Sequence, residues 1–190
     1  NNKMGVLTKG ATNFSTSLRA IGAAVVGTNL LVFVDQVQNM QNKLALASSS
    51  NLELSKSLAY VKAIADSTGQ SMVDIGSLYG KIAAQAGKLG YNQEQVATAT
   101  NAFALALKAS GASTQGASSA IYQFTQILMK GKVNGDEFTT IMENMGGPVM
   151  DLVASKLGVT TKELFKMKEE GKLTAQMFTN ALIKSFAELN

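Results

Sequence analysis

The chain has 190 residues, a formal net charge of +4, 46% hydrophobic and 16% charged residues, the balance of a folded protein rather than a disordered one. It contains no cysteine and no histidine, which excludes disulfides, thiol chemistry, zinc sites and histidine acid–base catalysis. A single proline among many Ala, Leu, Lys, Gln and Met residues predicts an all-α chain, long enough for one domain or two small ones.

The positive charge is spread over scattered lysines, and Arg19 is the single arginine. Sequence-reading nucleic-acid binders lean on arginine and on clustered charge. The pattern therefore predicts a solvated lysine surface and no specific nucleic-acid binding. Asn1-Asn2 at the start and a helical pattern still running at Asn190 predict a segment of a longer chain, and no cleavable signal peptide is legible.

Residues 1–14 are polar and glycine-bearing and read as a loose connecting segment. Ser15 or Thr16 is placed to cap the next helix, and residues 15–50 read as an N-terminal apolar helical unit. Ala20 to Val34 holds no charge, yet its 15 residues fall short of the roughly 20 that span a bilayer. A buried helix is the plain reading. A β-hairpin turning at Gly27-Thr28-Asn29 is the structural alternative, and membrane insertion in another state the functional one. Ala23 and Gly27 make a small-residue pair suited to close helix approach. With Val26, Leu30 and Phe33 they are the candidates for membrane contact or self-association.

From Phe33 the helix continues with Val37, Met40, Leu44 and Ala47 at helical spacing. Ser48-Ser49-Ser50 breaks it, and Ser50 with Glu53 reads as a capping box opening a helix with Leu54, Leu58, Val61 and Ala65 on one face. Gly69 ends that helix. Ser71 with Asp74 starts a clean amphipathic run through Ile75, Leu78, Tyr79, Ile82, Ala83, Ala86 and Leu89, stopped by Gly90. Gly76, Gly80 and Gly87 inside it suit close helix packing better than phosphate binding. Asn92 with Gln95 starts the next helix, carrying Val96, Ala99, Phe103 and Leu107. After the Ser110-Gly111-Ala112-Ser113 turn comes a helix with Ala117, Ala120, Ile121, Phe124 and Leu128. Landmarks recur 42 residues apart, Gly69 with Gly111 and Ser71 with Ser113 among them. A duplicated hairpin and ordinary hairpins of similar length both fit that spacing.

Leu128 to Leu182 reads as four short helices cut by glycines. Gly131, Gly158 and Gly171 each follow an apolar periodic run, where a helix ends in a residue of positive φ. Asn134 with Glu137 has N-cap spacing, Thr160 with Glu163 is a capping box, and Pro148 suits a first helical turn. Asp136-Glu137 are adjacent and point apart on a helix, so they serve the helix dipole rather than acid–base catalysis. Glu169-Glu170 stands at a helix C-terminus, where the dipole disfavours acids and Lys166 and Lys172 offset it. No nucleotide, nucleophile-elbow or metal-ligand motif is present, so no catalytic residue, cofactor or metal is expected. Six methionines between Met129 and Met177 read as core filling, with an adaptable binding surface as the alternative.

The order Gly131-Lys132-Val133-Asn134-Gly135-Asp136-Glu137-Phe138, then Pro148, then Leu157-Gly158-Val159-Thr160 with Glu163-Leu164, then Glu169-Glu170-Gly171-Lys172-Leu173-Thr174 resembles the tape measure domain of bacteriophage and prophage tails. Leu58 to Leu107, with Tyr79 and Leu89-Gly90, and the Ser110 to Ser113 turn are similar to the same family. Asn144 to Pro148 is richer in glycine than the family's usual step into proline. The resemblance implies that 51–190 is the tape measure helical domain. It also implies a non-enzymatic structural protein of the virion, lying in the tail tube lumen after assembly in the host cytoplasm. In that family the protein sets tail length, templates tube assembly and leaves the tube at DNA ejection. The implied partners are tail tube protein, tail assembly chaperones and tail tip or baseplate proteins, with self-association as a trimer or hexamer. The residues implied as motif or partner contacts are Gly131, Gly135, Asp136, Glu137, Phe138, Pro148, Gly158, Glu170, Gly171 and Lys172. A membrane-active helical module aiding genome delivery is the alternative function. The expected fold is a bundle of short antiparallel helical hairpins with a longer N-terminal apolar helix.

Overall fold

The structure, a computed structural model, describes residues 29–133 and 135–186. The expected caps at Ser15 or Thr16 and at Asn134, and the turn at Gly27-Thr28, lie outside them. The described residues form nine helices: α1 (Asn29–Ala47), α2 (Asn51–Thr68), α3 (Met72–Ala84), α4 (Ala86–Leu89), α5 (Gln93–Ala109), α6 (Thr114–Lys130), α7 (Gly135–Lys156), α8 (Thr161–Glu169) and α9 (Ala175–Phe186). The all-α expectation is met. The pairing of backbone outside helices is confined, among the described residues, to one isolated antiparallel bridge between Lys132 and Thr174.

Local chemistry sets the helix ends. Ser50, Ser71, Asn92, Ser113 and Thr160 each accept a hydrogen bond from the amide three residues on, satisfying donors that a helix start leaves free. Asn92/Gln95 and Thr160/Glu163 form full capping boxes. Ser50/Glu53 does not. The Glu53 carboxylate takes the Ser49 amide and hydroxyl instead, at 2.5 and 2.6 Å. Ser49 presents two donors to one carboxylate oxygen, whereas Ser50 has only its amide left to offer.

The expected single helix from Ser71 to Gly90 is interrupted. Gln85 leaves helical geometry at φ −101°, ψ 2°, and its amide is shared between the carbonyls of Lys81 and Ile82. The bend turns Leu89 into the core. Gln176 and Asn180 of α9 hold this corner through the Leu89 carbonyl and the Tyr91 hydroxyl.

All nine helices enclose one core. α5 is its central helix, packed against α2, α3, α7 and α9, while α6 packs against α3, α7 and α9. Five phenylalanines run through the interior. Phe103 stacks on Phe124 at 4.3 Å, Phe124 meets Phe178 at 6.0 Å, Phe178 meets Phe138 at 5.9 Å, and Phe138 meets Phe165 at 5.5 Å. These contacts tie α5, α6, α9, α7 and α8 together, each aromatic pair adding roughly 0.5–1.5 kcal/mol beyond burial. α1 brings Val37, Met40 and Leu44 to the same core. Met40 lies on Gly76, and Leu44 on Gly80, so α1 and α3 run parallel and close. Gly87 has nothing near the Cβ position and no such packing role.

α7 is two helices in one. Gly146 sits at φ 72°, ψ 165°, a conformation essentially reserved for glycine. The chain restarts after it with Pro148 in the new first turn, where a missing N–H is harmless. The four helical pieces expected across Leu128 to Leu182 are these two halves, α8 and α9, following the end of α6.

Candidate functional site

The two densest motif blocks of the C-terminal stretch meet. The Val133 amide donates to the Leu173 carbonyl at 2.9 Å, and the Ala175 amide to the Gly131 carbonyl at 3.0 Å. Gly131 makes this possible: it ends α6 at φ 75°, turning Lys132 and Val133 away from the helix axis. Gly171, at φ 67°, does the same after α8. Val133 and Leu173 are fully buried beneath the clasp, and Phe138, also without exposed surface, lies in the same core.

Charges rim the clasp. Lys130 pairs with Glu137, and this contact holds the Glu137 carboxyl below its usual range. Glu170 takes Lys172 at 2.7 Å and Lys166 at 3.8 Å, and the Lys172 hydrogen bond lowers its pKa. The two lysines therefore offset the unfavourable dipole position of this acid. Glu163, held by the Thr160 backbone and hydroxyl, is lowered too. Lys168 stands over the Phe165 ring at 5.9 Å, within cation–π range.

The expected contact residues divide by exposure. Gly131, Gly135, Asp136, Pro148, Gly158, Glu170, Gly171 and Lys172 are at the surface. Glu137 is 8% exposed and Phe138 0%. Phe138 therefore serves packing: a ring with no accessible surface touches no partner while the domain is folded. Gly158 takes φ 72° behind α7, as its position after an apolar run requires. Ala23, Val26 and Gly27 lie outside the described residues. Leu30 and Phe33 fall in the first turns of α1, with their side chains outside what is described.

Several contributors carried no sequence signal. Asn144 packs against Gly116, where a Cβ would sit 2.1 Å from its Oδ1, and the Ser110 hydroxyl donates to the Asn144 carbonyl at 2.9 Å. This glues the glycine-rich turn of α7 to the turn between α5 and α6. Of the six C-terminal methionines, Met145 and Met150 are fully buried, whereas Met129 is 52% exposed, on the same outer face of α6 as Tyr122 at 61%. Core filling thus accounts for most of the set, and Met129 is its surface member. Among the described residues, no cluster of acidic side chains could hold a metal ion, and no helix is long and apolar enough to cross a membrane.

A family model described as tape measure protein matches residues 28–190. The chain belongs to the tape measure protein family. That match takes in all nine described helices, including α1, and the whole clasp. Tape measure proteins are structural components of phage tails, and this chain has a phage tail tape measure role. No curated protein and no solved structure matches it.

Proposed function

We propose that this tape measure domain acts as a folded head on the ruler, engaging tail components while the rest of the protein sets tail length. Its family supports the larger role: templating the tail tube during assembly and leaving the tube at DNA ejection. The partners of this reading are tube protein, assembly chaperones and tail tip or baseplate proteins.

The observation that carries it is the closed core. A ruler needs residues that add length in proportion to their number, about 1.5 Å each in a helix. Here Phe103, Phe124, Phe138 and Phe178 lie buried together from four different helices, and the Val133–Leu173 pairing closes the chain on itself. Residues folded back in this way do not add linearly.

The test is tail length by electron microscopy in a phage whose gene lacks codons 29–186. A ruler segment would shorten tails by about 240 Å, the helical length of the deleted residues. A folded head predicts loss of tails, or tails whose length does not follow that arithmetic. Tails shortened by the full helical length and otherwise normal would overturn the reading.

A further inference from the structure

α1 and α3 border a groove of about 530 Å3 whose lining includes Val73, Gly76 and Gly80 of α3 and Asn39, Lys43 and Leu46 of α1. Its floor is apolar because the two glycines leave no side chain there. Leu46 on its rim is 89% exposed, and Val34, nearly two helical turns before Met40 on α1, is 46% exposed. Both are large apolar residues beside an unfilled channel on one helix.

We propose that the occupant of this groove is the chain's own segment 14–26. The sequence places Phe14, Leu18, Ile21 and Val25 at i, i+4, i+7 and i+11, the repeat of a single apolar face. The segment joins α1 directly at Asn29 through Gly27-Thr28, a pair suited to reversing the chain. A return from that point runs antiparallel to α1. At about 1.5 Å per residue, it brings Ile21 level with Val34, and Leu18 and Phe14 level with the stretch from Val37 to Lys43. The same arrangement thus covers the exposed Val34 and fills the lower half of the groove. It also buries an apolar run that would otherwise be presented to other chains. A tethered segment has the advantage over a second copy, because its local concentration is in the millimolar range.

The 190 residues hold no cysteine, so a site-specific cross-link is straightforward. Ser17→Cys and Ser77→Cys would be placed in the full-length protein, with Ser77 on the α3 wall of the groove. Unlabelled and heavy-nitrogen protein would be mixed, treated with a short bismaleimide, and the linked peptides read by mass spectrometry. The expected result is a link between the two peptides that carry the introduced thiols, both of the same isotope. Adding Phe14→Asp and Leu18→Asp should cause at least a tenfold loss of that link, while circular dichroism confirms that the helices of the domain remain. Mixed-isotope links would assign the groove to a second copy and overturn the proposal. No link, or a link unaffected by the two aspartates, would overturn it as well.

Discussion

Phe138 and Phe178 meet edge to face, their ring centroids 5.9 Å apart at an interplanar angle of 72°. One ring belongs to the first turn of α7 and the other to α9, and the clasp between Val133 and Leu173 joins the segments that lead into these same two helices. The most distinctive motif residue of the chain is therefore an anchor for tertiary structure.

Replacing that ring should be costly. Phe138→Ala removes edge contacts to both Phe165 and Phe178 from a site with 0% exposure. The expected loss is about 3–5 kcal/mol, the range for a buried aromatic truncated to alanine. Lys132→Ala, a few residues away and exposed, should change stability by no more than about 0.5 kcal/mol. Urea unfolding of both variants makes the comparison, and similar midpoints for the two would contradict the assignment of Phe138 to the core.

The glycine pair in α7 should be asymmetric. Gly146 stands at φ 72°, ψ 165°, so Gly146→Ala is expected to cost about 1–3 kcal/mol in backbone strain. Gly147 has no positive φ and no atom near its Cβ position. Gly147→Ala should be neutral or stabilise by up to about 1 kcal/mol. Thermal unfolding of the two single variants reads the difference directly.

The seat of α1 on α3 can be tested by a double-mutant cycle. A Cβ at Gly76 would lie 2.1 Å from Met40 Sδ and 2.4 Å from its Cγ. Because Met40 is only 4% exposed, it has little room to retreat. The overpacking, about 1–3 kcal/mol, should exceed the roughly 1 kcal/mol that alanine gains over glycine in a helix. Gly76→Ala is thus expected to destabilise, and combining it with Met40→Ala should cost less than the sum of the two changes. Strict additivity would mean that these residues do not touch.

Stability should follow pH through carboxylates and tyrosines alone. Glu137, Glu170, Glu163 and Glu53 are all lowered from 4.5 in the folded state, held chiefly by Lys130, Lys172, Thr160 and Ser49 respectively. A lowered folded pKa means that stabilisation is complete above the unfolded value and is lost as pH falls below it. Tyr79 and Tyr91 are raised from 10.0 by burial, so their contribution is complete below that value and lost as pH rises beyond it. With no histidine in the chain, the unfolding midpoint should be nearly flat from about pH 5 to 8 and fall on either side. A titration step near pH 6.5, the ordinary histidine range, would be inconsistent with these assignments.

Much of this protein is fixed by its sequence at short range. The helix starts at Ser50, Ser71, Asn92, Ser113 and Thr160, and the stops at Gly69, Gly90, Gly131 and Gly171, were all legible, because a cap or a positive φ depends on neighbours within one turn. The family was legible for a related reason: its glycines, capping residues and acidic pair keep their order along the chain. Tertiary structure alone decided what those elements do together. The bend at Gln85, the burial of Phe138, the seating of Met40 on Gly76 and the joining of Val133 to Leu173 all depend on partners distant in sequence. Helical periodicity tells which side of a helix is apolar, but not which other helix covers it. That choice is made by shape and volume in a shared core, and here it turned surface-looking motif residues into the clasp that closes the bundle.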